Sequence, residues 1–147
     1  MPKLTIDGRA VEVPAGTNLI EAARRLEIEV PHYCYHPGLS IAGQCRLCMV
    51  EIEKNPRPQI ACNTSAVDGM VVFTETPRVL ETRQSIMEFH LINHPLDCPV
   101  CDQAGECWLQ IYYMQHGLYS PRMIEEKVHK PKAVPIGPHV ILDAERC

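Results

Sequence analysis

Residues 34–48 have the sequence CYHPGLSIAGQCRLC, in which three cysteines are separated by proline, glycine and other small residues. The segment lacks the apolar period of a helix or strand, so it predicts a long irregular loop. Together with Cys62 it forms the motif Cys34-x10-Cys45-x2-Cys48-x13-Cys62. Two irons that share two sulfides each need two further soft anionic ligands, which cysteine thiolate provides best. The motif therefore predicts a [2Fe-2S] site on four cysteines.

These cysteines have two alternative interpretations: a structural zinc site, which also accepts four thiolates, and buried thiols without a metal. Zinc ribbons usually carry two C-x2-C pairs, whereas residues 34–62 contain only one. At Gly38 and Gly43 the loop backbone can approach closely and direct N–H groups at the sulfur atoms. We therefore favour iron and sulfide over zinc at this site.

The sequence on both sides of the loop predicts a ferredoxin-like β-grasp domain. Apolar and polar residues alternate over residues 3–13 around the turn Asp7-Gly8, which is typical of a β-hairpin. A helix of about three turns follows, with Asn18 as N-cap and Glu21 three residues later. Three more short strands complete a four- or five-stranded mixed sheet: residues 49–53, 59–61 and 70–74.

A second group of ligand-type residues forms the motif His94-x3-Cys98-x2-Cys101-x5-Cys107. Such a compact run suits a [4Fe-4S] cubane, because each of its irons takes one external ligand. Cys107 falls near the start of a predicted helix, where free N–H groups and the helix dipole favour an anionic group. Three cysteines and one histidine are also a common structural zinc set, which remains the alternative here.

Predicted helices flank this second motif. Thr76-Pro77 is an N-cap followed by proline at the first helical position, and helix formers continue to about Asn93. Apolar residues lie around much of the circumference of this helix, so we expect it to be buried on more than one side. A shorter helix is predicted over residues 106–116, with Gly117 placed to end it.

The predicted fold class is α+β, with three regions along the chain. Residues 1–76 form the [2Fe-2S] β-grasp domain, and residues 77–120 form a small helical [4Fe-4S] domain with one histidine and three cysteine ligands. Residues 121–147 are rich in proline and predict an extended connector. Cys147 is the last residue and fits neither motif, so we interpret it as the first ligand of a further site.

Composition narrows the function classes. The chain has 147 residues, eight cysteines and a formal net charge of -4, with no basic block that would favour nucleic acid. Disulfides are rare in the cytoplasm, which makes metal ligation the better default for the cysteines. The N-terminus lacks the features of a signal peptide, and no run approaches the roughly 20 apolar residues of a membrane span. We expect a cytoplasmic protein that meets a membrane only through a partner.

With both motifs in place, the sequence closely resembles the N-terminal region of the large iron-sulfur subunit of respiratory complex I (NADH-quinone oxidoreductase). The resemblance is most specific in three stretches: VPHYCYHPGLSIAGQCRLCMVE (residues 30–51), HPLDCPVCDQAGECWLQ (residues 94–110) and PIGPHVILDAERC (residues 135–147). It implies the same two ligand sets as the spacing does. It also implies a further [4Fe-4S] domain that follows Cys147.

The resemblance implies an electron carrier without catalytic residues of its own. Electrons would arrive from the flavin-bearing NADH-oxidising subunit and leave toward quinone, beside other subunits of a peripheral arm on the cytoplasmic face of a bacterial inner membrane. Similar modules occur in the iron-sulfur subunits of NAD-reducing hydrogenases and NAD-dependent formate dehydrogenases. A zinc-stabilised structural or assembly module is the alternative from another class.

The spacing of His94 leads to a first prediction. We expect His94→Cys to retain the second cluster with a lower reduction potential, because a thiolate adds one negative charge where a neutral imidazole adds none. A potentiometric titration followed by paramagnetic resonance measures the shift. An unchanged potential would show that His94 is not a ligand.

Overall fold

The computed structural model describes residues 1–146, so the predicted ligand role of Cys147 lies outside the described residues. Five short strands form one mixed sheet: β1 (Lys3–Ile6), β2 (Arg9–Glu12), β3 (Met49–Ile52), β4 (Gln59–Ile60) and β5 (Val71–Phe73). Their order across the sheet is β2-β1-β5-β3-β4. Strands β1 and β5 are parallel, whereas the other neighbouring pairs are antiparallel. The predicted strands and the mixed sheet are confirmed.

The turn between β1 and β2 has a second role in the sheet. Asp7 and Gly8 have φ angles of 46° and 79°, which is the left-handed backbone that a two-residue hairpin turn requires. The Asp7 carboxylate also accepts hydrogen bonds from the backbone N–H and the hydroxyl of Thr74, at 2.8 and 2.5 Å. Thr74 follows β5 directly, so the turn fixes the end of the neighbouring parallel strand.

Three α-helices are present: α1 (Leu19–Arg24), α2 (Pro77–Leu91) and α3 (Trp108–His116). The Asn18 side chain accepts a hydrogen bond from the Glu21 backbone N–H at 2.9 Å, which confirms the predicted N-cap of α1. Helix α1 is shorter than the predicted three turns. The chain leaves it through Glu27, whose φ of 58° cannot continue a right-handed helix.

Helix α2 begins as predicted, because the Thr76 hydroxyl accepts a hydrogen bond from the Val79 N–H at 3.2 Å. The expectation of burial on more than one side is wrong. The buried residues of α2 are Val79, Arg83 and Met87, spaced four apart along a single stripe, while Phe89 is 76% exposed. An arginine at the middle of this stripe is the unexpected member.

Gly117 ends α3 for a different reason from the predicted one. Its φ of -77° is accessible to any residue, so left-handed geometry is not required there. A Cβ atom at this position would lie 2.2 Å from the Cδ2 atom of Tyr113 and 2.5 Å from its carbonyl oxygen. The glycine is needed because the chain passes too close to the Tyr113 ring for a side chain.

The chain divides into two compact units, Met1–Ile86 and Met87–Cys147, and the division falls within α2. The predicted region limits at residues 76 and 120 stay predictions. The last region is not extended throughout, since it contains a small antiparallel hairpin of β6 (Val134–Pro135) and β7 (Ile141–Leu142). Over residues 1–146, the helices are too short or too polar to cross a membrane.

The core of the first unit lies between the sheet and α1. Leu4, Ile6, Leu19 and Val72 are each no more than 1% exposed, and Cys48 and Cys62 join the same cluster. Packing of apolar side chains therefore reaches directly to the predicted ligands.

We predict that Leu4→Ala lowers the free energy of unfolding by about 2–5 kcal/mol, because it removes buried methyl groups and leaves a cavity. Leu39→Ala is the matched control, since Leu39 is 72% exposed in the same unit. Urea unfolding followed by circular dichroism compares the two. Equal losses in both variants would contradict this assignment of the core.

Candidate metal centres

The loop of the first motif returns on itself, so that Cys45 lies beside Cys34. Gly43 and Arg46 adopt φ angles of 62° and 59°, which turn the backbone sharply on both sides of Cys45. A Cβ atom on Gly43 would lie 3.2 Å from the Cδ1 atom of Ile60, so the loop also packs closely on the sheet. The small residue permits the approach that the sequence predicted.

Backbone N–H groups point at two of the sulfur atoms. The Cys34 Sγ accepts a hydrogen bond from the Cys45 N–H at 3.4 Å, and the Cys45 Sγ accepts one from the Tyr33 N–H at 3.5 Å. These donors favour the thiolate over the thiol. Burial alone would raise the pKa of Cys34, but hydrogen bonds from Cys45 and from the Gln44 backbone outweigh it, and the pKa of this thiol is lowered.

The sheet brings the other two cysteines of the first motif together. Cys48 directly precedes β3, and its carbonyl accepts a hydrogen bond from the N–H of Ala61 at 2.9 Å, which places Cys62 next to it. Both side chains are 1% exposed. Burial raises the pKa of Cys48 to about 12 and also raises the pKa of Cys62. Metal binding must therefore displace protons from these thiols.

The four thiols lie close enough to affect one another's pKa values. The charges of Cys34 and Cys45 raise the pKa of Cys62 further, whereas the neighbouring Cys48 side chain lowers it. Among residues 1–146, no three metal-ligating side chains converge tightly enough to hold a single metal ion. The ligands of a two-iron cluster stand further apart than those of one ion, because they bind different irons. The ligand roles themselves stay a prediction.

All four residues of the second motif line one cavity of about 450 Å³. Cys98 opens a short 3₁₀ turn (Cys98–Val100), and the Cys101 N–H donates to the Cys98 carbonyl at 3.3 Å. Cys107 is the N-cap residue of α3, which confirms its predicted position at the start of that helix. The cavity also presents apolar side chains, including Leu109. Three soft sulfur donors and one imidazole around such a space fit an iron-sulfur cubane.

His94 is held in a form that can bind a metal. Partial burial is the main cause that lowers its pKa, and the positive charge of Lys127 lowers it further. Neutral imidazole offers a nitrogen lone pair, whereas imidazolium offers none. The cysteines around the cavity are less buried than those of the first motif, and Cys98 is exposed.

The region predicted as a connector fastens the segment that carries His94. The Lys127 Nζ donates to the carbonyls of Leu91 and Ile92, at 2.7 and 3.0 Å, at the end of α2, and the Leu91 carbonyl also accepts from the His94 N–H at 3.2 Å. The Val128 N–H donates to the Asn93 side chain at 2.9 Å. These three contacts hold the three residues that precede His94, so they position the backbone from which the His94 ring extends.

Ion pairs fasten the other side of the same segment. Asp97, next to Cys98, pairs with Lys132 and with Arg146, the latter at 3.1 Å. Glu145 has a side chain only 2% exposed and pairs with Lys132 at 2.9 Å and with His129 at 2.8 Å. Hydrogen bonds from Lys132 and His129 lower the pKa of Glu145 to about 2.

Sequence reasoning missed Lys127, Asp97 and Arg146, all of which line the cavity. Their partners lie more than thirty positions away in sequence. No local motif links such positions, so the sequence carried no signal for these contacts. The predicted ligands of the second motif are thus accompanied by polar contacts that the sequence did not predict.

Family models match both parts of the chain. Residues 2–77 match a model described as a 2Fe-2S iron-sulfur cluster binding domain. Residues 83–122 match a model described as an NADH-ubiquinone oxidoreductase-G iron-sulfur binding region. Each match contains one of the two complete motifs.

Curated relatives agree with these models. The chain is 46% identical over its full length to the G subunit of the NADH-quinone oxidoreductase of Rickettsia bellii, of which it covers 21%. It is 49% identical over 98% of its length to the G subunit of the Streptomyces coelicolor enzyme, of which it covers 17%. The chain therefore spans about a fifth of the length of these relatives.

A solved structure is similar over almost the whole chain. It is the crystal structure of an NAD⁺-reducing [NiFe]-hydrogenase in the H2-reduced state, with a TM-score of 0.86 and 28% identity. The match covers 99% of this chain and 61% of that chain. The fold is thus shared between the two classes of protein that the sequence resembles.

We predict that Lys127→Met weakens the second cluster and leaves the first unchanged. The variant leaves the Ile92 carbonyl without its Lys127 partner and the Leu91 carbonyl with the His94 N–H alone, at a cost of roughly 1–3 kcal/mol. Iron and acid-labile sulfide per chain, and the rate of cluster loss to a chelator, measure the effect. Lys130→Met is the matched control because its side chain is exposed. Equal lability in the two variants would refute the role of Lys127.

Proposed function

The chain belongs to the family of 2Fe-2S iron-sulfur cluster binding domains and corresponds to the N-terminal region of the G subunit of NADH-quinone oxidoreductase, and we propose that it relays electrons from a flavin-containing NADH-oxidising subunit toward quinone. It carries one [2Fe-2S] and one [4Fe-4S] cluster. When bound, these groups supply reversible one-electron transfer. The residues of this chain hold them and control water, charge and hydrogen bonding around them.

At the first centre, the proposed ligands are Cys34, Cys45, Cys48 and Cys62. The loop supplies the first two thiolates, whose charge the Cys45 and Tyr33 N–H groups stabilise. The sheet supplies the other two and excludes water from them, since each is 1% exposed. Cysteine is the residue that offers soft anionic ligands from both a flexible loop and a packed core.

At the second centre, the proposed ligands are His94, Cys98, Cys101 and Cys107. The observation that carries the proposal is that all four line the same cavity, although they come from a helix end, a 3₁₀ turn and the N-cap of another helix. Coordination by a neutral imidazole makes the site less negative than four thiolates would. Free N–H groups at the start of α3 add to this effect.

The proposed partners are the flavin-bearing NADH-oxidising subunit and other subunits of a peripheral arm at the cytoplasmic face of a bacterial inner membrane. The names of the relatives, which are subunits of NADH-quinone oxidoreductases, support a place in a multisubunit complex. The exposed apolar side chains of the second unit, among them Leu96, Val100 and Ile124, fit burial against other subunits.

An NAD-reducing hydrogenase is the second candidate, because the similar solved structure has that activity. Its 28% identity is well below the 46% and 49% of the NADH-quinone oxidoreductase relatives. The subunits that co-purify with the chain from its native host distinguish the two. A quinone-reducing complex supports the first proposal, whereas a nickel-containing partner supports the second.

We predict that the chain purified without oxygen is brown, contains acid-labile sulfide and gives two paramagnetic signals on reduction. Cys48→Ser should remove about two irons per chain and the [2Fe-2S] signal alone, because serine is a poor soft ligand. Cys101→Ser should instead remove about four irons and the [4Fe-4S] signal.

Cys147→Ser is the control for a cysteine outside both motifs, and it should retain both signals. A colourless protein that contains zinc and no sulfide would overturn the electron-transfer proposal. Loss of either signal in the Cys147 variant would overturn the ligand assignment. It would not overturn the proposal that the chain carries two clusters.

A further inference from the structure

Arg83 is the largest of the most deeply buried side chains among residues 1–146, with 1% exposure. It lies between Val79 and Met87 on the buried stripe of α2, and both of these neighbours are 0% exposed. A charged residue is rarely buried so fully unless an opposite charge or a set of hydrogen bonds compensates it.

Such compensation is missing within the described part of the chain. The Nε and Nη2 atoms of Arg83 are buried and have no hydrogen-bond partner there. Three negative or ionisable groups act on its charge from a distance: Glu75, Asp7 and Cys48. None of them forms an ion pair with it over residues 1–146.

The two carboxylates are poor partners for Arg83. Glu75 is exposed to water, which screens its charge. The Asp7 carboxylate accepts two hydrogen bonds from Thr74 and is therefore already satisfied. Cys48 differs from both because its side chain is 1% exposed and is a proposed iron ligand. Glu75 and Asp7 act on Arg83 more strongly than Cys48 does in the chain without metal. As an iron ligand, Cys48 would be a thiolate, and its burial would leave that charge little screened by water.

Contacts at the start of α2 fix this helix to the strand that follows Cys48. The Thr76 hydroxyl donates to the Glu51 carboxylate at 2.5 Å, and Arg78 lies 3.5 Å from the same carboxylate. Glu51 lies in β3, three residues after Cys48. Arg83 thus lies on a helix whose first turn is fixed to β3, the strand that follows Cys48.

We propose that the buried guanidinium of Arg83 is a fixed positive charge that raises the reduction potential of the [2Fe-2S] centre through the side of the site formed by Cys48. The inference rests on the proposed function, in particular on the four-cysteine ligand set. Reduction brings one electron from the upstream donor, forms and breaks no bond of the chain, and adds one negative charge to the site. Arg83 stabilises that added charge, and burial keeps the interaction strong.

The test compares the reduction potentials of Arg83→Met and Arg83→Lys, both in the Cys101→Ser background so that the [2Fe-2S] signal stands alone. Potentials are read by paramagnetic resonance during titration with dithionite. We expect Arg83→Met to disfavour the reduced form about tenfold, which is 59 mV for one electron. Arg83→Lys keeps the charge and should stay closer to the unsubstituted arginine.

Arg9→Met is the matched control, because it removes one positive charge from an exposed position in the same unit and takes no part in anchoring α2. It should leave the potential unchanged. Arg83→Met should not lower the unfolding midpoint of the chain, since replacing an unpaired buried charge by an apolar side chain is commonly neutral or stabilising. A merely structural arginine would show the reverse pattern, a lowered midpoint with an unchanged potential.

The outcomes separate the two proposals. If Arg83→Met retains the [2Fe-2S] signal at an unchanged potential, the Arg83 proposal fails and the ligand assignment stands. If the chain with Arg83 intact gives no [2Fe-2S] signal, the proposed function itself fails. Arg83→Gln is the second neutral variant. Loss of the signal in both neutral variants but not in Arg83→Lys would also contradict the proposal, because Arg83 would then serve assembly rather than the potential.

Discussion

Burial of Cys48 and Cys62 in the core of the sheet domain constrains the rest of the first unit. A buried thiol resists deprotonation, and the pKa of Cys48 is raised to about 12. Iron binding requires the thiolate, so part of its free energy is used to remove these protons. A metal bound by the four proposed ligands would in return link the loop to two strands that pack against the same core. Folding of this unit and assembly of its centre are therefore coupled through the same side chains.

The second centre depends on a different kind of interaction. Its proposed ligands line a partly open cavity, and Cys98 is exposed. The segment between α2 and the 3₁₀ turn is fastened by Lys127 and Asp97 rather than by a packed core. Polar contacts at a partly exposed site contribute less to stability than buried apolar packing does. The second centre thus depends more on its metal than the first does, and neighbouring subunits that cover its apolar surface would protect it.

The features that could be predicted from the sequence are those whose causes are local. The Asp7-Gly8 turn and the Asn18 cap depend on residues within three positions of each other, and both were confirmed. The ligand motifs could be proposed from the sequence because metal chemistry restricts residue type and spacing, and the ligand roles stay a prediction. Helix α2 was predicted in extent but not in burial, because its sequence has apolar residues on every side and only the tertiary fold selects one stripe. Arg83 and Lys127 were missed for the same reason: their surroundings come from distant parts of the chain.

The first centre receives positive potential from two sources that differ in their dependence on the solvent. The N–H groups of Cys45 and Tyr33 act on the loop side, where Cys34 is partly exposed and water already stabilises negative charge. Arg83 acts on the Cys48 side, where both side chains are buried and a charge is little screened by solvent. Water can reorganise around a change in charge, whereas a buried guanidinium cannot, so the stabilisation that Arg83 provides is present before the electron arrives. A site arranged in this way stabilises the reduced state with little rearrangement of the protein. Small rearrangement favours rapid electron transfer through the cluster.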